Sequence, residues 1–519
     1  MVLSRWASRD LDWRRWAVLL VAAYLVVGLV GFRRTLIPDE IRPLLLAAEP
    51  WSVQLEITRQ DLVQTPASFI LARWWLALFG HTDAASKTLA LLLNVPTIVL
   101  FTYLARRVTA YWPAASLLCA LALMRIGSAP NLVRMYGLLL LCVVAAMVLW
   151  VHWRERPRGG LLAAWVAVMV LAAYTHLSAL LLLPAFVIAT WLFGPARRVF
   201  TAAAVAVPLA LLPWANYVRG VYEERGIHEN VQAIRDDPTR AVAKLPFYVL
   251  SGEDPGAGSP LGDWYRRWGI PATLKWGAVL LLAGLIGIPL AFRARDGPRQ
   301  PTESGRESHE WFRVSAVLVA TPLLVLYVFS LAFTPVVHAR YLLVCLPAFW
   351  LFLATAARLS GPTGRVLFAA TGVWVLASVG VALWFNRGPS PARSAADFLA
   401  MERRPPDVVV VDRLMPLGWQ LTWEWRRRLG RREPLVVLSL PWTQPWWRDV
   451  IPTTPLETLR PDTAGRVWFL RQRLTRDSAV VAHLRGQGFV PSRAEVPSPG
   501  LQLFERLRPD TRFSPAALP

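Results

Sequence analysis

From about residue 16 to residue 385 the chain alternates long apolar runs with short, arginine-rich breaks. A helix needs roughly 20 apolar residues to cross the hydrocarbon core of a bilayer, and somewhat fewer where flanking side chains snorkel. Runs of that length predict about eleven spanning helices. They lie near residues 16–32, 87–105, 111–127, 135–152, 160–175, 177–193, 200–215, 273–292, 314–333, 341–357 and 366–385. The first run continues into Arg33, Arg34 and Thr35 without a small-residue cleavage site, so it reads as an uncleaved anchor.

The breaks between runs are asymmetric. Arg14 and Arg15, Arg106 and Arg107, Arg154 with Arg156 and Arg158, Arg197 with Arg198, Arg293 with Arg295, and Arg365 fall on alternate connections. Positive charge is retained on the cytoplasmic side, so these connections are expected to be cytoplasmic. The opposite connections, residues 33–86 and 216–272, are then external, together with everything from Asn386 onward. Within the first of them, Pro66 to Phe79 (PASFILARWWLALF) is apolar but short and suits a helix lying in the interface.

After Asn386 the pattern changes. Asp407–Asp412 (DVVVVD), Pro434–Leu440, Arg466–Leu470 and Leu501–Phe504 predict strands, and Ala392–Arg403 and Ser478–Arg485 predict helices. The expected architecture is an α-helical polytopic membrane domain over residues 1–385, followed by an external α/β domain over residues 386–519.

Composition agrees with this reading. The 519 residues are 55% hydrophobic and only 17% charged, with a mean hydropathy of +0.39, too apolar for an ordinary soluble protein. The formal net charge of +22 would suggest a nucleic-acid partner if it clustered on a soluble domain, but much of it flanks apolar runs and serves topology. Cys119, Cys142 and Cys345 all fall inside apolar runs, which suggests neither a disulfide framework nor a thiolate metal site.

Chemistry-bearing residues gather near the expected external surface. Asp39 and Glu40 follow Pro38 just beyond the first span, where a lipid-linked substrate presents its headgroup. The pair suits a general base, and it also reads as the acidic first turn of a helix. Arg134 and Tyr136 at the outer end of the fourth span pair a permanent cation with a phenol, a pattern repeated by Arg340 and Tyr341 before the tenth. Guanidinium favours phosphate because its planar donors bind oxygens bidentately, while a snorkelling Arg beside an interfacial Tyr reads the same way in sequence. His176 stands where the fifth span turns into the sixth, preceded by Tyr174 and Thr175, whose hydroxyls could bind a sugar. No HExxH, Cys cluster or Gly-rich phosphate loop occurs. A tightly held metal is therefore not indicated, and a loosely bound divalent ion at Asp39 and Glu40 stays open.

In order, these landmarks are Asp39-Glu40, Pro66 to Gly80, Arg134-Met135-Tyr136, Tyr174-Thr175-His176, and Arg340-Tyr341-Leu342-Leu343 leading to Pro347. The chain thereby resembles the GT-C superfamily of polyprenyl-phosphate-sugar-dependent glycosyltransferases. The likeness is to its bacterial branch, related to protein O-mannosyltransferases and lipid A aminoarabinose transferase, and it covers about residues 16–385. The resemblance implies a catalytic first external loop, a polyprenyl-phosphate sugar donor, and Asp39 as the base that activates an acceptor hydroxyl. Glu40 would assist or bind metal. Arg134 and Arg340 would stabilise the leaving phosphate, and a single displacement would invert the anomeric centre. Tyr136, Tyr174, His176 and Tyr341 would line the substrate site. The acceptor would be protein, lipid or polysaccharide. The location would be the bacterial plasma membrane, with site and terminal domain on the periplasmic or extracellular side. The chain departs from the family where Ile41-Arg42-Pro43 follows the acidic pair, where Gln64-Thr65-Pro66 precedes the interfacial helix, and where Leu132 and Val133 precede Arg134. A transporter or flippase of lipid-linked sugars is the competing class, although no inverted repeat is visible.

Overall fold

The computed structural model describes residues 12–31, 36, 38–60, 65–128, 135–225, 303–332, 339–385, 391–404, 407–411, 419–429, 436–438, 453–454, 466–470, 479–492 and 501–506. Its first half is helical: α1 (Trp13–Gly31), α2 (Pro38–Ala47), α3 (Trp51–Gln60), α4 (Pro66–Phe79), α5 (Asp83–Val108), α6 (Trp112–Ser128), α7 (Tyr136–Glu155) and α8 (Gly159–Thr175). A 3-10 turn (Leu177–Leu181) leads into α9 (Leu182–Phe193), followed by α10 (Arg197–Ala210) and α11 (Leu212–Arg225). Beyond come α12 (Glu303–Ala332), a second 3-10 stretch (Ala339–Cys345), α13 (Leu346–Leu359) and α14 (Gly361–Phe385).

The expected spans coincide with helical segments throughout, except for residues 273–292, which lie outside the described residues. Among the described residues six helices are long and apolar enough to cross a membrane: Asp83–Val108, Tyr136–Glu155, Arg197–Gly220, Glu307–Ser330, Tyr341–Leu359 and Gly361–Gly380. Trp112–Met124, Gly159–Thr175 and Leu177–Phe193 are apolar but shorter. The chain is thus a multispan α-helical membrane protein with a small α/β unit near its carboxyl end.

Two units separate. One comprises Met1–Phe32, Thr58–Trp75 and Ala84–Arg387; the other comprises Arg33–Ile57, Leu76–Asp83 and Gly388–Pro519. Much of residues 33–86 therefore groups with the carboxyl-terminal unit rather than with the bundle.

In the bundle, close packing depends on small residues at crossings. A Cβ at Gly28 on α1 would lie 2.4 Å from Leu91 Cδ2 on α5, so a larger residue there would require the Leu91 side chain to move. Gly361, with φ +61°, takes the left-handed backbone that turns α13 directly into α14. At the arginine-rich end of the bundle, Arg107 Nη1 reaches both oxygens of Glu155, at 2.7 and 2.6 Å, and ties α5 to α7. Arg154 pairs with Glu310 at 2.8 Å and lies 4.5 Å from the Trp311 ring centroid, tying α7 to α12.

In the second unit, α15 (Pro391–Glu402), β1 (Val408–Val411), α16 (Trp419–Leu429), β2 (Val436–Leu438), β3 (Thr453–Thr454), β4 (Arg466–Leu470), α17 (Ala479–Gly486), β5 (Phe489–Pro491) and β6 (Leu501–Arg506) form a six-stranded sheet with order β3-β2-β1-β4-β6-β5. Strands β3, β2, β1 and β4 run parallel, with Val410 beside Val436 and Phe469, and β6 pairs antiparallel with β4 and β5. Strand β1 is a continuous valine run because it is covered on both faces. Val409 and Val411 pack with α15 and α16 through Leu399, Leu421 and Trp425; Val410 packs with α17 through Val481 and Leu484.

Asp407, just before β1, anchors this sheet. It accepts from Arg466 Nη2 at 2.6 Å, Trp468 Nε1 at 2.9 Å and the Arg404 backbone N–H at 3.0 Å. Burial alone would raise its pKa, but the bonds from Arg466, Arg404 and Trp468 and the Arg466 charge outweigh it and hold the carboxyl below its ordinary value. A depressed carboxyl stabilises the fold above the unfolded pKa of about 3.9 and loses that contribution as pH falls through the folded value. Asp407→Asn is expected to cost about 1.5–3 kcal/mol at neutral pH. Thermal unfolding of both proteins across pH should show the gap closing below about pH 4; a gap independent of pH would contradict the assignment.

Candidate functional site

Three stretches far apart in sequence meet at His176. Helix α8 ends there because His176 adopts extended backbone, φ −163° and ψ 128°. Its imidazole then caps the next element: Ser178 N–H donates to Nδ1 at 3.1 Å, and Ser178 Oγ lies 2.8 Å from the same nitrogen. An Nδ1 that accepts from an amide carries no proton, so in the neutral ring the proton is on Nε2. The ring centroid lies 5.8 Å from that of Tyr136, at the first turn of α7, and 5.6 Å from that of Tyr341, in the second 3-10 stretch. Both contacts are tilted, with centroid separations inside the range over which aromatic rings attract. Tyr136 and His176 are buried and Tyr341 half-buried.

The cluster is braced from the first loop. The Thr65 hydroxyl, fully buried, donates to the Ala173 carbonyl at 2.9 Å in the last turn of α8. Thr175 turns back to the Leu171 carbonyl of its own helix at 2.8 Å. Tyr174 does not join the trio; its hydroxyl donates to the Ala210 carbonyl at 3.0 Å, where α10 ends.

The other expected site residues fall elsewhere. Arg134 lies outside the described residues. Arg340 sits in the second 3-10 stretch, next to Tyr341, with its side chain outside them. Asp39 and Glu40 open α2, in the second unit, directly after Pro38 at the first helical position. The Glu40 side chain is fully buried and that of Asp39 lies outside the described residues. Pro43 within α2 has no N–H to return to the Asp39 carbonyl, so the helix is weakened directly after the acidic pair.

Helix α16 forms the seat for this segment. Gln420 Nε2 donates to the Leu36 carbonyl at 3.1 Å, Arg426 pairs with Glu49 at 3.3 Å, and Trp423 Nε1 donates to Asp83 at 2.7 Å. Arg393 on α15 stands 3.9 Å from Asp83 as well. Among the described residues no group of three His, Cys, Asp or Glu side chains comes together as a metal site would require.

Sequence reasoning noted Thr65 only as a departure from the family pattern, and passed over Ser178 and α16. It also passed over Lys87, fully buried on α5, and Asn94, whose amide donates to the Tyr24 hydroxyl at 2.8 Å. A polar or cationic residue inside an apolar run was the available signal for both.

His176→Ala removes the cap of the 3-10 turn and is expected to cost about 1 kcal/mol, whereas His176→Asn, which can still accept from Ser178 N–H, should lose less. Thermal unfolding in detergent distinguishes the two. Equal losses would mean that the ring's packing, not its nitrogen, matters.

No family model and no curated protein sequence matches the chain. Among solved structures it is similar to ArnT from Cupriavidus metallidurans in the apo state, with 16% identity and a TM-score of 0.48 over 95% of this chain and 98% of that one. It is also similar to the Archaeoglobus fulgidus oligosaccharyltransferase in complex with Zn and sulfate, with 12% identity and a TM-score of 0.39 over 79% of this chain and 61% of that one. A third similar structure is AglB of the same organism with an inhibitory peptide and a dolichol-phosphate, with 10% identity and a TM-score of 0.39 over 88% and 69%.

Proposed function

We propose that this chain is a membrane glycosyltransferase that moves a sugar from a polyprenyl-phosphate donor to an acceptor hydroxyl at the outer face of the bilayer. The observation that carries the reading is the meeting of Tyr136, His176 and Tyr341. Each comes from one of the motifs on which the family resemblance rests, and two of them stand beside an arginine in sequence, Arg134 and Arg340.

The chemistry follows from what such a donor needs. The acceptor hydroxyl gives its proton to the Asp39 carboxylate as its oxygen bonds to the anomeric carbon. The bond from that carbon to the phosphate oxygen breaks, and the electron pair leaves with the polyprenyl phosphate. One displacement inverts the centre. Phosphate is already a good leaving group, so the site needs positive charge at the departing oxygens more than a general acid. Arg134 and Arg340 are the residues assigned to supply it, with bidentate geometry suited to phosphate. Tyr136 and Tyr341 offer phenols, and Tyr174, whose hydroxyl is turned to the Ala210 carbonyl, is the more distant of the residues assigned to the substrate. A divalent cation, if the transfer uses one, would be held by Asp39 and Glu40 and would screen charge there. The acceptor class, whether protein, lipid or polysaccharide, is assigned to the carboxyl-terminal unit, because that unit holds the segment that bears Asp39.

The test is transfer of radiolabelled sugar from a panel of polyprenyl-phosphate sugars to membrane extract by the protein in lipid. Asp39→Asn is expected to lower kcat by about 10²–10⁴-fold, the range of general-base catalysis, with little change in KM for the donor. Undiminished transfer would remove Asp39 as the base. No transfer by the wild type, with lipid-linked sugar crossing the vesicle instead, would overturn the enzyme reading.

A further inference from the structure

Two cavities lie toward the arginine-rich end of the bundle. The first, of about 300 Å³, is polar and is lined by Arg106, Arg107, Thr109, Trp112, Glu307 and Arg358. The second, of about 320 Å³, runs between α6 and α14. Its walls are Leu117, Leu121, Phe368 and Val373, with Tyr111 and Arg365 as its polar contributors. The two share flanking elements: Trp112 and Arg358 line the first, and their sequence neighbours Tyr111 and Ala357 line the second. Both volumes sit at the lower end of the roughly 300–1,000 Å³ typical of small-molecule sites.

The apolar cavity is a recess rather than an ordinary lipid-facing surface, and small residues explain it. Ala114, Ala357, Ala369 and Gly372 line it, and a Cβ at Gly372 would already stand 3.4 Å from Leu118 Cδ2. Helices α6 and α14 thus come close together at Gly372, while the missing side-chain volume beside it stays open.

The charges are not spent alike. Arg107 is held by Glu155 at 2.6 Å. Arg106 and Arg365 are exposed, and among the described residues neither makes an ion pair or hydrogen bond. A free anion would satisfy the arginines and leave the recess empty. A neutral lipid would fill the recess and leave Arg106 and Arg365 unanswered. A molecule with an anionic head and an acyl chain satisfies both. Arginine-rich ends of spanning helices face the cytoplasmic leaflet, which is the leaflet that presents anionic phospholipid.

We infer that this end of the bundle binds one anionic phospholipid, with its phosphate among Arg106, Arg358 and Arg365 and an acyl chain in the recess between α6 and α14. The site would be the same whether or not the chain transfers a sugar.

Native mass spectrometry of the full-length, delipidated protein tests this, by titration with phosphatidylglycerol and with phosphatidylcholine of identical acyl chains. One phosphatidylglycerol should bind in preference to phosphatidylcholine. A juxtamembrane arginine contributes about fivefold in affinity for anionic lipid, so the double variant R106A/R365A should bind roughly 25-fold more weakly. Ala369→Phe, at an exposed position on α14, fills the recess without touching the charges and should weaken both lipids. Equal binding of the two lipids, an unchanged affinity in R106A/R365A, displacement by millimolar inorganic phosphate alone, or a preference for polyprenyl phosphate over phosphatidylglycerol would each overturn the proposal.

Discussion

A polar group inside an apolar bundle must find its partner within the protein, because the hydrocarbon around it offers none. Among the described residues many hydroxyls meet that constraint locally. Thr97 returns to the Leu93 carbonyl at 2.9 Å, Thr102 to Ile98 at 2.7 Å, Ser116 to Trp112 at 2.7 Å and Thr355 to Leu351 at 2.9 Å. Such groups are silent, since each is consumed by its own helix. The informative groups are those satisfied between elements. Asn94 reaches Tyr24, Trp150 Nε1 reaches Thr190 at 2.9 Å, and Thr65 reaches the last turn of α8. These bonds fix how helices register against one another, and the Thr65 bond does so beside the Tyr136, His176 and Tyr341 cluster. The same rule explains why His176 can stand in so apolar a setting: its Nδ1 is used to cap the 3-10 turn that its own helix end makes necessary.

Much of this was legible in sequence because the relevant signals are local and one-dimensional. Run length alone predicts helices, and residues 135–152 and 160–175 correspond to Tyr136–Glu155 and Gly159–Thr175 within a few residues. The valine run that predicts β1 is read from composition in the same way. The convergence of Tyr136, His176 and Tyr341 was open to reading only through motif order and expected sidedness, since nothing local to any one motif encodes the other two. Strands β3 and β5 escaped because two and three residues carry no period.

Helix α16 escaped for a different reason. Gln420, Leu421, Thr422, Trp423, Glu424 and Trp425 are all buried in succession. A helix buried on every side shows no alternation of apolar and polar positions, and its polar residues argue against burial when read singly. Their partners lie hundreds of positions away, at Leu36, Glu49 and Asp83. The association of much of residues 33–86 with the carboxyl-terminal unit is therefore a tertiary fact with no local signature, whereas the edge between Arg387 and Gly388 coincides with a change of composition.

What holds α16 in place bears on how firmly it can seat the acidic pair. Glu424 is fully buried and is answered by Arg428, which also binds Asp397 through Nε at 2.8 Å. Burial alone would lower the Arg428 pKa, but its bonds and attraction to Glu424 and Asp397 outweigh that and raise it. Replacing such a triad by apolar residues of the same volume is often neutral for stability, whereas removing one member leaves a buried charge unanswered. The triad is thus better suited to choosing one orientation of α16 than to strengthening it. Orientation is what the seat requires: Gln420, Trp423 and Arg426 engage Leu36, Asp83 and Glu49 only when one face of α16 is turned toward the first loop. Helix α2 is weakened by Pro43 and has little stability of its own at ten residues. The position of Asp39 and Glu40 then follows from a helix nearly four hundred residues downstream in the chain.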